Sequence, residues 1–296
     1  MSGAPDARPK SGYGLGRFLE IQNLGLNLPF AVAFLVLAAH GIPRLITVAL
    51  VVIAFIAARN AGHSFNRWVD RRLDAANPRT RERALASGRA PPGLALAFCA
   101  ANAAILVIAA YFLNPLAFVL APVALVLVLG YSYTKRVTSF TTAFLGLVEA
   151  ITPAAVFIAV DGTLPLAVLW AVGGLLSWGT AFETIHSLGD LESDTALGLF
   201  SLPRRIGVSA SVRLVAVLHG VSLVLLSIFG FALGLTLPYY LGLVAIAGLM
   251  VVTDRALAAR PTESRVPFER HFAMAMCYLV GAVVAVFVPI GPALAR

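Results

Sequence analysis

Long apolar runs alternate with short polar segments along all 296 residues. A helix that crosses the hydrocarbon core of a bilayer needs about 20 mostly apolar residues. Nine runs reach that length: 20–40, 43–68, 93–113, 115–134, 139–160, 164–188, 210–233, 237–254 and 271–293. Gly or Pro marks most of the gaps, at Gly41-Ile42-Pro43, Asn114-Pro115, Asp161-Gly162, Pro238 and Pro261. The pattern predicts an all-α, polytopic membrane protein of nine transmembrane helices. It divides into a polar N-terminal segment, 1–19, and one transmembrane domain, 20–296.

Composition supports a bilayer as the solvent. The chain is 59% hydrophobic and 12% charged, against about 25% charged residues in a soluble domain. So few charges cannot cover the outside of a soluble fold of this size. The net charge of +8 raises nucleic acid as a partner, but the basic residues lie between apolar runs and not on one soluble face, so no nucleic-acid partner is expected. They also alternate. Arg8, Lys10 and Arg17 precede the first run, and Arg71, Arg72, Arg79, Arg81, Arg83 and Arg89 follow the second. Lys135 and Arg136 follow the fourth, Arg204 and Arg205 the sixth, and Arg255, Arg260, Arg265 and Arg270 the eighth. The intervening loops hold little beyond Arg44. The positive-inside rule then places the N-terminus in the cytosol of a cell-membrane protein and the C-terminus outside. No early apolar run marks a cleavable signal peptide. Cys99 and Cys277 sit in apolar stretches with no CxxC spacing and are read as packing residues.

Polar side chains gather where the even-numbered runs end. Asn66, Asp70 and Asp74 recur every fourth residue, so on a helix they form one stripe that drifts only about 40° per step. Oxygen donors in a row suit a hard cation such as Mg²⁺, which takes one or two carboxylates and completes its shell with water and phosphate. A solvated helix end paired to nearby arginines is the alternative. Asp190 and Asp194 repeat the spacing, with Glu183 and His186 on the same stripe. Acidic groups beside a bilayer face a cavity or a partner, and two such clusters at one depth could hold two metals across a diphosphate. Tyr131 and Lys135 stand four apart between them; the lysine could bind phosphate, or the pair could be an interfacial anchor. Arg59 lies seven residues before Asn66 on the same face. An arginine at that depth either receives a substrate carboxylate in a bidentate fork or pairs with an acid such as Glu149 or Glu183. Arg79 and Arg83 either cover a diphosphate or are positive-inside charge. His63 reads as a packing or hydrogen-bonding residue, and Arg204-Arg205 as a solvated pair.

Together, Asn66-x3-Asp70-x3-Asp74, Tyr131-x3-Lys135 and Asp190-x3-Asp194-x3-Gly198 resemble the motifs of the UbiA superfamily of intramembrane prenyltransferases, as does the loop Asn77-Pro78-Arg79-Thr80 through Arg83-Ala84-Leu85-Ala86-Ser87-Gly88. The likeness covers roughly 20–290. One departure is Arg67, where many members carry Asp. The resemblance implies a bundle around a central cavity under a cytosolic cap. In it Asn66, Asp70, Asp190 and Asp194 would hold Mg²⁺ on an isoprenyl diphosphate, with Asp74 in support. Arg79, Arg83, Lys135 and Asn66 would bind the diphosphate, Tyr131 would face the nascent carbocation, and Arg59 would orient an aromatic acid acceptor such as 4-hydroxybenzoate. Naphthoate-type and glycerol-phosphate acceptors are the alternatives. A transporter would need polar residues through the full membrane depth, whereas here the outer half is almost wholly apolar.

Overall fold

The structure, a computed structural model, describes residues 27–77, 80–262 and 265–288. Among them every regular element is helical: α1 (Leu28–Ala38), α2 (Leu45–Ala76), α3 (Pro92–Leu113), α4 (Pro115–Gly130), a 3₁₀ helix (Tyr131–Arg136), α5 (Thr141–Asp161), α6 (Val168–Gly189), α7 (Leu191–Ala196), α8 (Leu202–Ile206), α9 (Val208–Ala232), α10 (Leu237–Ala259) and α11 (Arg265–Phe287). Among the described residues, eight helices are long and apolar enough to cross a membrane, α4 counting together with its 3₁₀ extension. The first predicted span is described only as the 11-residue α1. Residues 1–26, including the N-terminal segment, and the last part of the ninth span lie outside the described residues.

The helix boundaries follow local chemistry. Proline, which needs no intrahelical N–H partner at a first turn, opens α3, α4 and α10. Asn114 caps α4, its side chain accepting from the Ala117 amide at 2.9 Å, while its own Nδ2 donates to the carbonyl of Ile158 on α5 at 2.7 Å. Gly162 ends α5 with φ +68°, a left-handed cap that favours glycine.

Neighbouring helices pack along the chain: α2 on α3, α5 on α6, α6 on α9, and α10 on α11. The short α1 then lies against both α11 and α5. Helix α6 is buried along most of its length, and the other spans along less than half of theirs. Side chains such as Tyr111, Phe112, Val126, Val224 and Val244 are exposed on the outside, as a surface solvated by lipid requires. In the interior Phe30, Phe34, Trp178, Phe229 and Tyr278 pack edge to face or tilted.

Helices gain little from hydrophobicity inside a bilayer and associate through close fit at small residues. The α5–α6 contact is such a fit. A Cβ at Gly146 would stand 2.4 Å from Thr180 Oγ1 and 2.6 Å from the Thr180 backbone nitrogen. Gly146→Ala is therefore expected to lower stability by about 1–3 kcal/mol, the range for overpacking. At Gly220, where nothing lies within 4 Å, alanine is expected to be neutral or stabilising by up to about 1 kcal/mol. Thermal unfolding of both variants in one detergent checks the contrast.

Candidate functional site

Helix α2 has 32 residues, which at about 1.5 Å each rise about 48 Å, well beyond a hydrocarbon core of about 30 Å. Its last turns therefore project from the apolar part of the bundle, and they carry the Asn66, Asp70 and Asp74 stripe on one continuous helix. Asn66 Nδ2 donates to Asp70 Oδ2 at 3.0 Å, so the stripe is real in space. Asp70 is only 2% exposed. Its Oδ2 lies 3.0 Å from Lys135 Nζ, and its Oδ1 lies 2.7 Å from Arg136 Nη2.

Arg136 is the main residue that sequence spacing misses. A four-residue step pairs Tyr131 with Lys135 on an α-helix, but Tyr131–Arg136 is a 3₁₀ helix. Three residues per turn change the faces, and Lys135 and Arg136 both reach Asp70. Arg136 also donates to the carbonyls of Ser132 at 2.8 Å and Val69 at 3.2 Å. The only sequence sign was its place beside Lys135, where it looked like ordinary positive-inside charge. Arg67 is also buried, 7% exposed, with Nε donating to His63 Nε2 at 3.3 Å. His63, read from sequence as a packing or hydrogen-bonding residue, thus takes the second role and positions an arginine.

The segment after α2 folds back on the helix end. Arg83 Nη1 lies 2.7 Å from Asp74 Oδ1, Thr80 Oγ1 donates to the Asp74 carbonyl at 3.0 Å, and Ala84 and Leu85 are buried. Arg79 lies outside the described residues. The second acidic cluster straddles a break: α6 ends at Gly189, Asp190 caps it, and α7 follows. The helical step survives the break, since the Asp194 amide donates to the Asp190 carbonyl at 2.8 Å. Asn77 Nδ2 donates to Ser193 Oγ at 3.2 Å, and the Phe200 amide donates to the Lys135 carbonyl at 2.9 Å. These bonds tie both clusters and the 3₁₀ turn to the same end of the bundle. Arg204, read as solvated, braces this loop by donating to the Leu199 carbonyl. Among the described residues, however, no three His, Cys, Asp or Glu side chains converge at metal-binding distance.

Deeper in, Tyr131 lies in the fields of Asp70, Glu183, Arg67 and Arg59. Arg59 acts on Glu149 as well, and Glu149 acts on Glu183. Glu149 Oε1 accepts from Asn27 Nδ2 at 3.1 Å, and its Oε2 occupies the place where a Cβ on Gly179 would lie, 2.6 Å away. A small cavity between α1, α5, α6 and α11 is lined by Glu149, Asn27, Phe30, Trp178, Phe182 and His271. The arrangement is thus a cation-rich polar end above a cavity with aromatic walls.

Comparison with known proteins agrees with this reading. The profile of the UbiA prenyltransferase family matches residues 27–276. The 4-hydroxybenzoate octaprenyltransferase of Shewanella woodyi is 29% identical over 76% of this chain and 79% of its own. That of Aeromonas salmonicida is 31% identical over 77% of this chain and 78% of its own. Among solved structures, the apo form of a UbiA homolog from Aeropyrum pernix K1 superposes with a TM-score of 0.80 at 26% identity, covering 89% of this chain and 98% of that one. A UbiA homolog from Archaeoglobus fulgidus bound to GPP and Mg²⁺ shares the fold, with a TM-score of 0.69 at 17% identity over 90% of this chain and 99% of that one.

Removing one partner of a buried ion pair leaves the other uncompensated, at a cost of about 3–5 kcal/mol when both are buried. Lys135 and Arg136 are about 30% exposed, so solvent recovers part of that. Asp70→Asn is expected to cost about 1–3 kcal/mol. Lys135→Met should cost less, because Arg136 still neutralises Asp70. Unfolding of the two variants in detergent, with no substrate present, checks the order.

Proposed function

The chain belongs to the UbiA prenyltransferase family, and from that premise we propose that it transfers a prenyl group from an isoprenyl diphosphate to an aromatic acid of the 4-hydroxybenzoate type, with Mg²⁺, at the cytosolic side of the cell membrane. The protein is an integral, multi-pass membrane prenyltransferase; the acceptor, the metal and the orientation are the proposal. The observation that carries it is Asp70, a buried carboxylate between Lys135 and Arg136 on a stripe with Asn66.

The donor set suits a hard cation. Asp70, Asp74, Asp190 and Asp194 offer carboxylate oxygens and Asn66 an amide oxygen, and the Asn77–Ser193 hydrogen bond links the segments that carry them. These residues would hold Mg²⁺, with Lys135, Arg83 and Arg79 on the diphosphate. When bound, the cation would neutralise charge on the departing diphosphate. Lys135 and Arg136 are already within 3.0 Å of a carboxylate and can exchange that anion for phosphate without crossing an apolar region. As the allylic C–O bond breaks, Tyr131 stabilises the adjacent cationic carbon through its ring. The apolar walls keep water from quenching it. The acceptor ring attacks through the carbon next to its hydroxyl and loses that carbon's proton. The segment of residues 80–91, held by Arg83 on Asp74, serves as part of the cap.

Arg59 would orient the acceptor carboxylate. A second reading has one observation in its favour: Glu149 already acts on Arg59, which would suit a neutral acceptor. The two readings separate by experiment. Incubation with geranyl diphosphate, Mg²⁺ and a panel of aromatic acids, with products identified by mass, is expected to yield prenylated 4-hydroxybenzoate. Product only on naphthoate-type or glycerol-phosphate acceptors would reassign the substrate. Arg59→Ala should raise the acceptor KM far more than the donor KM, while Glu149→Gln should lower the acceptor KM if a carboxylate competes for Arg59. Asp190→Asn and chelation of divalent cations should each abolish turnover; normal activity in either condition sinks the metal assignment.

A further inference from the structure

A second set of ionisable side chains lies among α9, α10 and α11, next to the cavity. The His219 side chain on α9 is 2% exposed, and its Nδ1 lies 2.8 Å from Asp254 Oδ1 on α10. A carboxylate accepts hydrogen bonds, so Nδ1–H donates, and in the neutral ring Nε2 presents its lone pair. That Nε2 is buried with no hydrogen-bond partner among the described residues. The ring of His271 on α11 lies 5.7 Å from the His219 ring, centroid to centroid. His271 is itself part of the cavity wall, beside Glu149 and Asn27, with its ring 4.7 Å from Phe182. At the far end, the Asp254 side chain is 22% exposed, five residues before α10 ends at Ala259. Nearby, Arg270 donates to the Val252 carbonyl at 3.2 Å. His271, His219 and Asp254 thus form a row from the cavity to the outside of the bundle.

Prenyl transfer releases a proton whatever the acceptor. The C–O bond of the donor breaks and its electron pair leaves with diphosphate. An electron pair of the acceptor forms the new bond to the prenyl carbon. The acceptor's bond to hydrogen then breaks, its electrons remain with the acceptor, and a proton is left in a cavity built to exclude water.

We propose that His271, His219 and Asp254 are the exit route for that proton. A proton taken up at the His271 ring passes to His219 Nε2, the Nδ1 proton passes to Asp254, and the carboxylate releases it at the bundle surface. Ring rotation restores the starting tautomer. A histidine–aspartate pair that only pins α9 to α10 needs neither an open Nε2 nor a third ring in the cavity wall. The route rests on the prenyl-transfer reading but not on which acceptor is used.

Asp254→Asn keeps a hydrogen-bonding group of the same size and removes the proton acceptor; His219→Gln removes the relay ring. Diphosphate release is timed in H₂O and D₂O with geranyl diphosphate, Mg²⁺ and the acceptor identified by the panel. Both variants are expected to lose about 100-fold in kcat, as for other positioned proton-transfer groups, with both KM values unchanged. Their kcat should become more sensitive to D₂O than that of the parent protein, and imidazole should restore part of the rate to His219→Gly. Unchanged kcat, or a fall without added D₂O sensitivity, overturns the route; the latter is what a helix-pinning pair gives. Geranyl diphosphate binding reports on folding, and Asp254→Asn decides alone if His219→Gln does not fold. Absence of turnover by the parent protein with every acceptor counts against prenyl transfer itself, and the route falls with it.

Discussion

A carboxylate with 2% exposure at the end of a membrane-spanning helix must be neutralised where it stands. Asp70 meets that constraint with Lys135 and Arg136 at once, and much of the site's geometry follows. Both cations come from the 3₁₀ turn after α4, so the ion pairs fix the height of that turn against α2. The Lys135 carbonyl then receives the Phe200 amide, which brings the loop after the second acidic cluster to the same level. The same charges that hold the turn are the ones the proposed diphosphate substrate would need. Such a site would exchange one anion for another on binding, which would limit the desolvation cost of admitting the proposed diphosphate near lipid.

The second constraint is close approach. Gly146 lets α5 touch α6 at Thr180, and Gly179 leaves room for the Glu149 carboxylate. Without those two absences of a side chain, Glu149 could not lie against α6 at the cavity wall. Packing and polarity are therefore coupled: the glycines that allow helices to associate in a bilayer also place an acid where the acceptor is proposed to bind.

The helical architecture was legible because a bilayer imposes one length scale on every span. Runs such as 93–113 and 115–134 match α3 and the α4–3₁₀ unit almost to the residue. The Asn66, Asp70, Asp74 stripe was legible for a related reason: α2 is one continuous α-helix through Ala76, so period alone assigns its faces. Where the helix type changes, period fails. Lys135 was found and Arg136 was not, because an α-helical step was applied to a 3₁₀ turn. Asp190 and Asp194 kept their relation across a helix break only because one backbone bond continues the α-helical step. Glu149 was named only as one candidate partner of Arg59, and His271 carried no local pattern at all. Their meaning comes from helices far apart in sequence that meet around one cavity, and no spacing rule reports such a meeting.

The polar groups are sorted by what they must do with charge. Around Asp70 the compensating charges are permanent, arginine and lysine, which suits a group of fixed charge such as a diphosphate. Around His219 and His271 the groups are imidazoles, which can accept a proton at one ring nitrogen and give one up at the other. Fixed cations beside a dry cavity would repel a departing proton and trap it beside the acceptor. Imidazole rings at the cavity wall would give it a base to move to. A prenyl transfer yields one strongly anionic product and one proton, and a bundle that holds both permanent cations and imidazole bases would give each a different way out.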